Sequence, residues 1–350
     1  MRTLKRCILS AGSAAVALLI VEGAGRLLLT RPTLPYVPSS NPRLIYELNP
    51  AYQGINTLGM RQPEIDRATV HDRFVIVVIG DSHSYMDDSV TGAGTFPARL
   101  EHHANAAAER PVTVLNLGVP GYNMIQELEV LRAKALAFEP DLIVLQYCVN
   151  DDHISNFIQP EYPRVNRAVH SSVVLTTAWT TILYSQFGRT HLLPFVEDHA
   201  PDLLLFTPGL VGTPVSREQD PLHGPTHPTR SKDLVPVRYH GFIGRDNFES
   251  AVHTFGEICR RARIPTLATG FIEERDRGLY EASGFQVYSF FDIFAGTDMR
   301  HYGYDPRHSD GHFSDLGNDL IGKALASYVR EHFSVSSPKV ARSTRSHVAQ

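Results

Sequence analysis

Four short stretches hold residue types that could carry out acyl chemistry if folding brought them together. The first is Phe74 to Ser84, FVIVVIGDSHS, in which six apolar residues run into Gly80 and then Asp81-Ser82-His83. A run that is apolar on both faces reads as a strand buried in a parallel sheet. A small hydroxyl residue directly after such a strand lies at the carboxyl edge, where open α/β sheets bind their ligands. Ser82 is therefore the candidate nucleophile, and the bland alternative is that it caps the next helix. The other three stretches are Gly118-Val-Pro-Gly121-Tyr-Asn123, Val149-Asn150-Asp151 and Asp310-Gly311-His312-Phe313-Ser314.

A serine nucleophile needs a base within hydrogen-bond reach, and the base needs an acceptor that orients it. His312 fits the base and Asp310 the orienting acid. The anionic transition state also needs donors fixed in advance. The Ser82 N–H, the Gly121 N–H and the Asn150 side-chain amide are candidates. Gly121 suits that task because a residue without a side chain lets its backbone approach a ligand. Asp81 reads as a hydrogen-bonding support for the serine turn rather than an acid catalyst, and Gly118 as a turn residue.

The elements that must position these residues alternate in type. Strands are expected at Phe74–Ile79, Val112–Leu117, Leu142–Tyr147, Thr266–Phe271 and Gln286–Phe291. Helices are expected near 95–108, 123–138, 247–262 and 315–333. Such alternation predicts a parallel, doubly wound α/β sheet with the three stretches at 118–123, 149–151 and 310–314 on one carboxyl edge beside Ser82. Residues 151–240, rich in Pro, His and Thr, interrupt the rhythm and read as an insertion. The apolar stretch Val173–Leu183 within it reads as one helix. Residues 334–350 are Ser-rich and mildly basic, which predicts a disordered tail.

At 350 residues and 43% hydrophobic, the chain can bury a substantial core. A net charge of −4 with no basic stretch in the core argues against nucleic acid. The three cysteines, Cys7, Cys148 and Cys259, form neither a disulfide framework nor a metal-type spacing. His301, Asp305, His308, Asp310 and His312 are ligand types suited to zinc. They follow no matched spacing, so no metal and no cofactor is expected. Gly92-Ala-Gly94 is not a dinucleotide loop, because it follows no strand and lacks a third glycine.

Residues 1–31 open with Arg2, Lys5 and Arg6 ahead of an apolar run of about 14 residues, short of the roughly 20 that a full span takes. Extension to Leu29 includes Glu22 and Arg26, which a helix pairs at a spacing of four. The reading is a membrane anchor with the catalytic domain outside the cytoplasm, or a cleaved leader and a secreted or periplasmic protein. Residues 32–70, with Pro32, Pro35, Pro38 and Pro42, form an extended linker and N-terminal arm. The domain of interest then spans 71–333, with the insertion at about 151–240.

Gly80-Asp81-Ser82, Gly121 in NLGVPGYN, Asn150 in VNDD and His312 in DGHFSDLG resemble, in order and separation, the four blocks of the SGNH (GDSL-type) hydrolase family. The resemblance covers about 74–152 and 300–330. It implies a flavodoxin-like three-layer α/β/α sandwich and metal-independent ester hydrolysis through an acyl-enzyme. In it Ser82 is nucleophile, Gly121 and Asn150 are oxyanion donors, His312 is base and Asp310 its partner. The leader together with GINTLGMR resembles a bacterial subgroup with an N-terminal membrane segment. Two departures stand out. Many members carry the acid three residues before the histidine, where this chain has Ser309. His83 follows the serine where Leu or Phe is frequent, a change expected to alter the mouth of the site rather than the chemistry.

The expected substrate is an acylated small molecule or glycan. An O-acyltransferase to a polysaccharide hydroxyl would use the same residues, but related transferases tend to place Asp-His before Ser, and here Ser comes first. A catalytically silent glycan-binding module is the reading from another class.

Overall fold

The computed structural model describes residues 36–66, 72–86, 92–106, 108–154, 237–304 and 312–333, with parts of 12–27 and 185–192 and the single residues 70, 172, 174, 182 and 335. The chain divides into two units, 1–53 with 154–240, and 54–153 with 241–350.

In the first unit Tyr36–Pro38 (β1) and Tyr46–Leu48 (β2) pair antiparallel. The helical turns within 12–27 carry the expected pairing: Arg26 Nε donates to Glu22 Oε1 at 2.9 Å. Glu22 also accepts from Ser172 Oγ at 2.7 Å. Among the described residues no helix is long and apolar enough to cross a membrane, so the anchor expected of residues 1–31 is not met by a span there. Most of Val173–Leu183 and of the tail 334–350 lies outside the described residues.

The second unit alternates strand and helix as its apolar pattern dictates. Its elements are Phe74–Ile79 (β3), Ser82–Tyr85 (α1), Phe96–Asn105 (α2), Val112–Asn116 (β4), Met124–Ala133 (α3), Leu142–Tyr147 (β5), Arg245–Ala262 (α4), Thr266–Gly270 (β6), Glu274–Ala282 (α5), Gln286–Val287 (β7), Phe290–Ile293 (α6) and Asp315–His332 (α7). The strands form one parallel sheet in the order β4-β3-β5-β6-β7. The fold class is therefore α/β, consistent with the three-layer sandwich.

Every residue of β3 and of β5 is buried. Side chains of a strand alternate between faces, so full burial requires cover on both. Phe74, Ile76 and Val78 pack into one core with Phe96 and Leu100 of α2 and with Ile321, Leu325 and Val329 of α7. Val75, Val77 and Ile79 point to the other face, the side of α3. The helix α4 buries Phe248, Val252, Phe255 and Cys259, a stripe at helical spacing.

Two elements differ from expectation. The strand expected at 286–291 stops at Val287, because Ser289 and Asp292 form a capping box and start α6. That box satisfies backbone donors locally and turns Phe290 into the core. The helix α5 was not expected, since ERDRGLYEA has no apolar period and buries only Asp276 and Tyr280.

Candidate active site

Because β3 lies between β4 and β5, the three loops that follow these strands are neighbours at the carboxyl edge. The loop after β3 carries Ser82, that after β4 carries Gly121 and that after β5 carries Asn150. The topology thus brings together three of the stretches singled out by residue type.

The serine turn is held from several directions. Asp81, not Ser82, is the N-cap of α1, with Oδ1 accepting the His83 N–H at 3.0 Å. The capping explanation for Ser82 is thereby removed, and Ser82 is half-buried between buried neighbours. Gln146 Oε1 of β5 accepts from the Asp81 N–H at 3.2 Å and from Ser84 Oγ at 2.9 Å. Asn116 Nδ2 of β4 donates to the Ser84 carbonyl at 2.8 Å. Gly118 is more than a turn residue: a Cβ there would lie 2.5 Å from Ser84 Cβ, so the loop after β4 approaches α1 only because it is glycine.

Gly121 has a φ of +75°, a conformation that favours glycine whatever else it does. Asn123 caps α3 in a box with Gln126 and fixes where this loop ends. Asn150 Nδ2 donates to the Tyr122 carbonyl at 3.3 Å, which joins the Asn150 turn to the Gly121 loop.

His312 is reached from the far end of the chain. Phe313 is buried in an aromatic cluster, stacked on Phe294 at 4.9 Å and on Tyr304 at 5.2 Å. Ser314 caps α7, and Asn318 Nδ2 donates to the carbonyls of Phe313 and Ser314. These contacts set the chain at 312, and the His312 ring lies 4.8 Å from the ring of His83, the neighbour of Ser82. Nε2 of His312 is enclosed and has no hydrogen-bond partner among the described residues. Asp310 lies outside the described residues, as do Asp305 and His308. Among the described residues no His, Cys, Asp or Glu group could hold a metal ion.

His83 is the residue whose place the sequence misjudged. It does not line a mouth: its side chain is buried, edge-on to Phe271 at 5.0 Å and against His312. Burial, and then the like charge of His312, hold this imidazole well below its ordinary value, so it is neutral near pH 7.

Burial also raises the Asp81 carboxyl, opposed by the His83 N–H, by His312 and by Gln146. Two further acids, Glu127, which residue type did not single out, and Asp151, which was given no role of its own, are fully buried beside it. Burial pushes both well above the ordinary carboxyl range, and the neighbouring carboxyls push the same way. Glu127 was hidden in the sequence because an acid in the first turn of a helix is ordinary helix chemistry.

No protein-family model and no curated protein matches the chain. It is similar to several solved structures. One is a putative lipolytic protein of the G-D-S-L family from Desulfitobacterium hafniense, at 11% identity and TM-score 0.36, covering 73% of this chain and 99% of that one. Another is the esterase EstA from a Pseudoalteromonas species, at 10% identity and TM-score 0.38, covering 74% and 97%. A third is a catalytic mutant of an acetylxylan esterase from Geobacillus stearothermophilus, at 11% identity and TM-score 0.38, covering 73% and 93%.

Proposed function

We propose that this protein is a serine esterase that hydrolyses acyl esters through an acyl-enzyme. The observation that carries the reading is the contact of the His312 ring with the residue next to Ser82, across more than two hundred chain positions. Ser82 Oγ attacks the acyl carbonyl while its proton passes to His312. Asp310 orients the imidazole, and the Ser82 N–H, the Gly121 N–H and the Asn150 amide receive the oxyanion. The tetrahedral adduct expels the alcohol, which takes the proton from His312. Water then gives its proton to His312, attacks the acyl carbonyl and releases the acid, and Ser82 regains its proton. Asp81 supports the turn as helix cap. Acylated cell-envelope or exported glycans are the proposed substrates, reached from a membrane-anchored or exported domain; the basic and apolar leader supports that location.

The test compares wild type with Ser82→Ala and His312→Ala on p-nitrophenyl acetate and acetylated sugars, with fluorophosphonate labelling alongside. Each variant is expected to lose at least about a thousandfold in kcat/KM. Ser82→Ala is also expected to lose the label. A Ser82→Ala protein with full activity ends the proposal. Free acid as sole product, with and without a polysaccharide acceptor, separates hydrolysis from acyl transfer.

A further inference from the structure

His83 pairs an unusual position with an unusual state. It directly follows Ser82 on α1, yet its ring is enclosed by Phe271, Phe313, Tyr304 and His312, at centroid separations of 5.0, 6.2, 6.3 and 4.8 Å. Its Nδ1 is buried and meets no hydrogen-bond partner among the described residues, and the same is true of Nε2 on the facing His312. A buried polar atom left unpaired costs free energy, and apolar residues would fill this pocket without that cost. Two unpaired ring nitrogens on two touching imidazoles have a natural use, since one of the two rings is the proposed base.

We propose that His83 is a positioning residue for the reaction at Ser82, a second imidazole whose dipole and ring face steady His312 electrostatically each time His312 takes up the serine proton, while the two N–H groups of His312 serve Asp310 and the departing alcohol. The inference rests on the roles proposed for Ser82 and His312. The proton balance is unchanged by it. The Ser82 O–H bond breaks, its electron pair forms the bond to the acyl carbon, an N–H bond forms on His312, and that proton leaves with the alcohol. His83 gains and loses no proton over the cycle.

A ring that stays neutral can serve in this way, because it keeps its lone-pair dipole and adds no repulsion to the imidazolium. Phenylalanine there would supply the same packing and no such dipole. Among the described residues the titratable groups that face the ring pair are Asp81, which interacts electrostatically with His312, the buried Cys148 thiol beside Asp81, and the Tyr304 hydroxyl; Asp310, the proposed partner of His312, lies outside them. Burial raises the Cys148 thiol well above its ordinary value, so it stays uncharged.

The experiment follows kcat and KM on p-nitrophenyl acetate against pH for the full-length wild type, His83→Phe and His83→Asn, with melting temperatures and fluorophosphonate labelling. The phenylalanine variant is expected to lose on the order of tenfold in kcat with KM held within about twofold. Its acid limb of kcat/KM, which reports the base of the free enzyme, is expected to move to lower pH. Asparagine, which restores a polar dipole, is expected to recover part of both. A His83→Phe enzyme with wild-type kcat and an unmoved acid limb overturns the proposal, as does an asparagine variant no better than phenylalanine. Should the phenylalanine variant lose its melting transition, His83→Leu takes its place in the same comparison. Wild-type protein that neither hydrolyses the ester nor takes the label would instead overturn the reading of Ser82.

Discussion

Asp81, Glu127 and Asp151 put three carboxyls in one buried neighbourhood, where full ionisation is prohibitively costly. Both oxygens of Glu127 and of Asp151 are enclosed without a hydrogen-bond partner among the described residues. The linkage to stability has a definite sign. The folded chain keeps a proton on Glu127 at pH values where the unfolded carboxyl, near its ordinary 4.5, has released it. That stabilising share is complete below the unfolded value and is lost as pH rises through the folded one. Glu127→Gln has the same shape and no proton to lose. Thermal melts between about pH 5 and pH 8 are expected to show wild type falling behind the glutamine variant as pH rises. His83 works with the opposite sign, its folded value being depressed below the ordinary 6.5. It is common to both proteins, so it cancels in the difference. Parallel melting curves at all pH values would count against the buried proton.

At the scale of the element, α1 is too short to be stable by itself, since a single turn fixes several dihedrals for one hydrogen bond. Its last carbonyls are met by the N-terminal arm. Arg61 is buried, its Nη1 donates to the carbonyls of Tyr85 and Met86, and its guanidinium lies 4.5 Å from the centre of the Tyr85 ring. The neighbouring Gln62 reaches the backbone of Asn116 on β4. The GINTLGMRQP segment, which shows no period in the sequence, is thus a brace for the serine turn. Arg61→Ala is expected to cost about 2 kcal/mol in urea unfolding and to lower kcat more than it raises KM, because Ser82 is held less firmly. Arg61→Lys keeps the charge and loses the stacked plane, so it should fall between. Wild-type kcat in Arg61→Ala would separate the brace from the chemistry.

The whole molecule must also protect the open edge of its sheet. Among the described residues β4 pairs only with β3, and its outward N–H groups at Val112, Val114 and Asn116 would otherwise template another chain. Each is met by a side chain oxygen: Asn105 Oδ1 at 2.9 Å, Glu101 Oε2 at 2.6 Å and Gln62 Oε1 at 2.6 Å. Two of these come from α2 and one from the arm. Removing two acceptors together, in Gln62→Ala with Glu101→Ala, is expected to lower the temperature at which the protein associates, seen by light scattering. It should do so more than either change alone. An unchanged onset would mean that the short edge is harmless without its covers.

The central strands were legible because burial on both faces leaves an unbroken apolar run. Phe74–Ile79 and Leu142–Tyr147 stand where that run lies. The serine turn, the Gly121 loop and the Asn150 turn were legible for a related reason. A parallel sheet puts the carboxyl end of every strand on one edge, so these three loops could be placed together without knowing any side-chain contact. The helix α5 and the arm were not legible, since both are held by polar and backbone contacts that leave no hydrophobic period. Strand order, and with it the placing of β3 between β4 and β5, depended on non-local pairing that no local pattern encodes. The same holds for His83. Its residue type can be read in the chain, but only the packing of Phe271, Phe313 and His312 around it made it a buried, neutral neighbour of the proposed base. Local sequence sets which groups follow which strand, whereas the dielectric and the company each group keeps arise only when distant segments close over it.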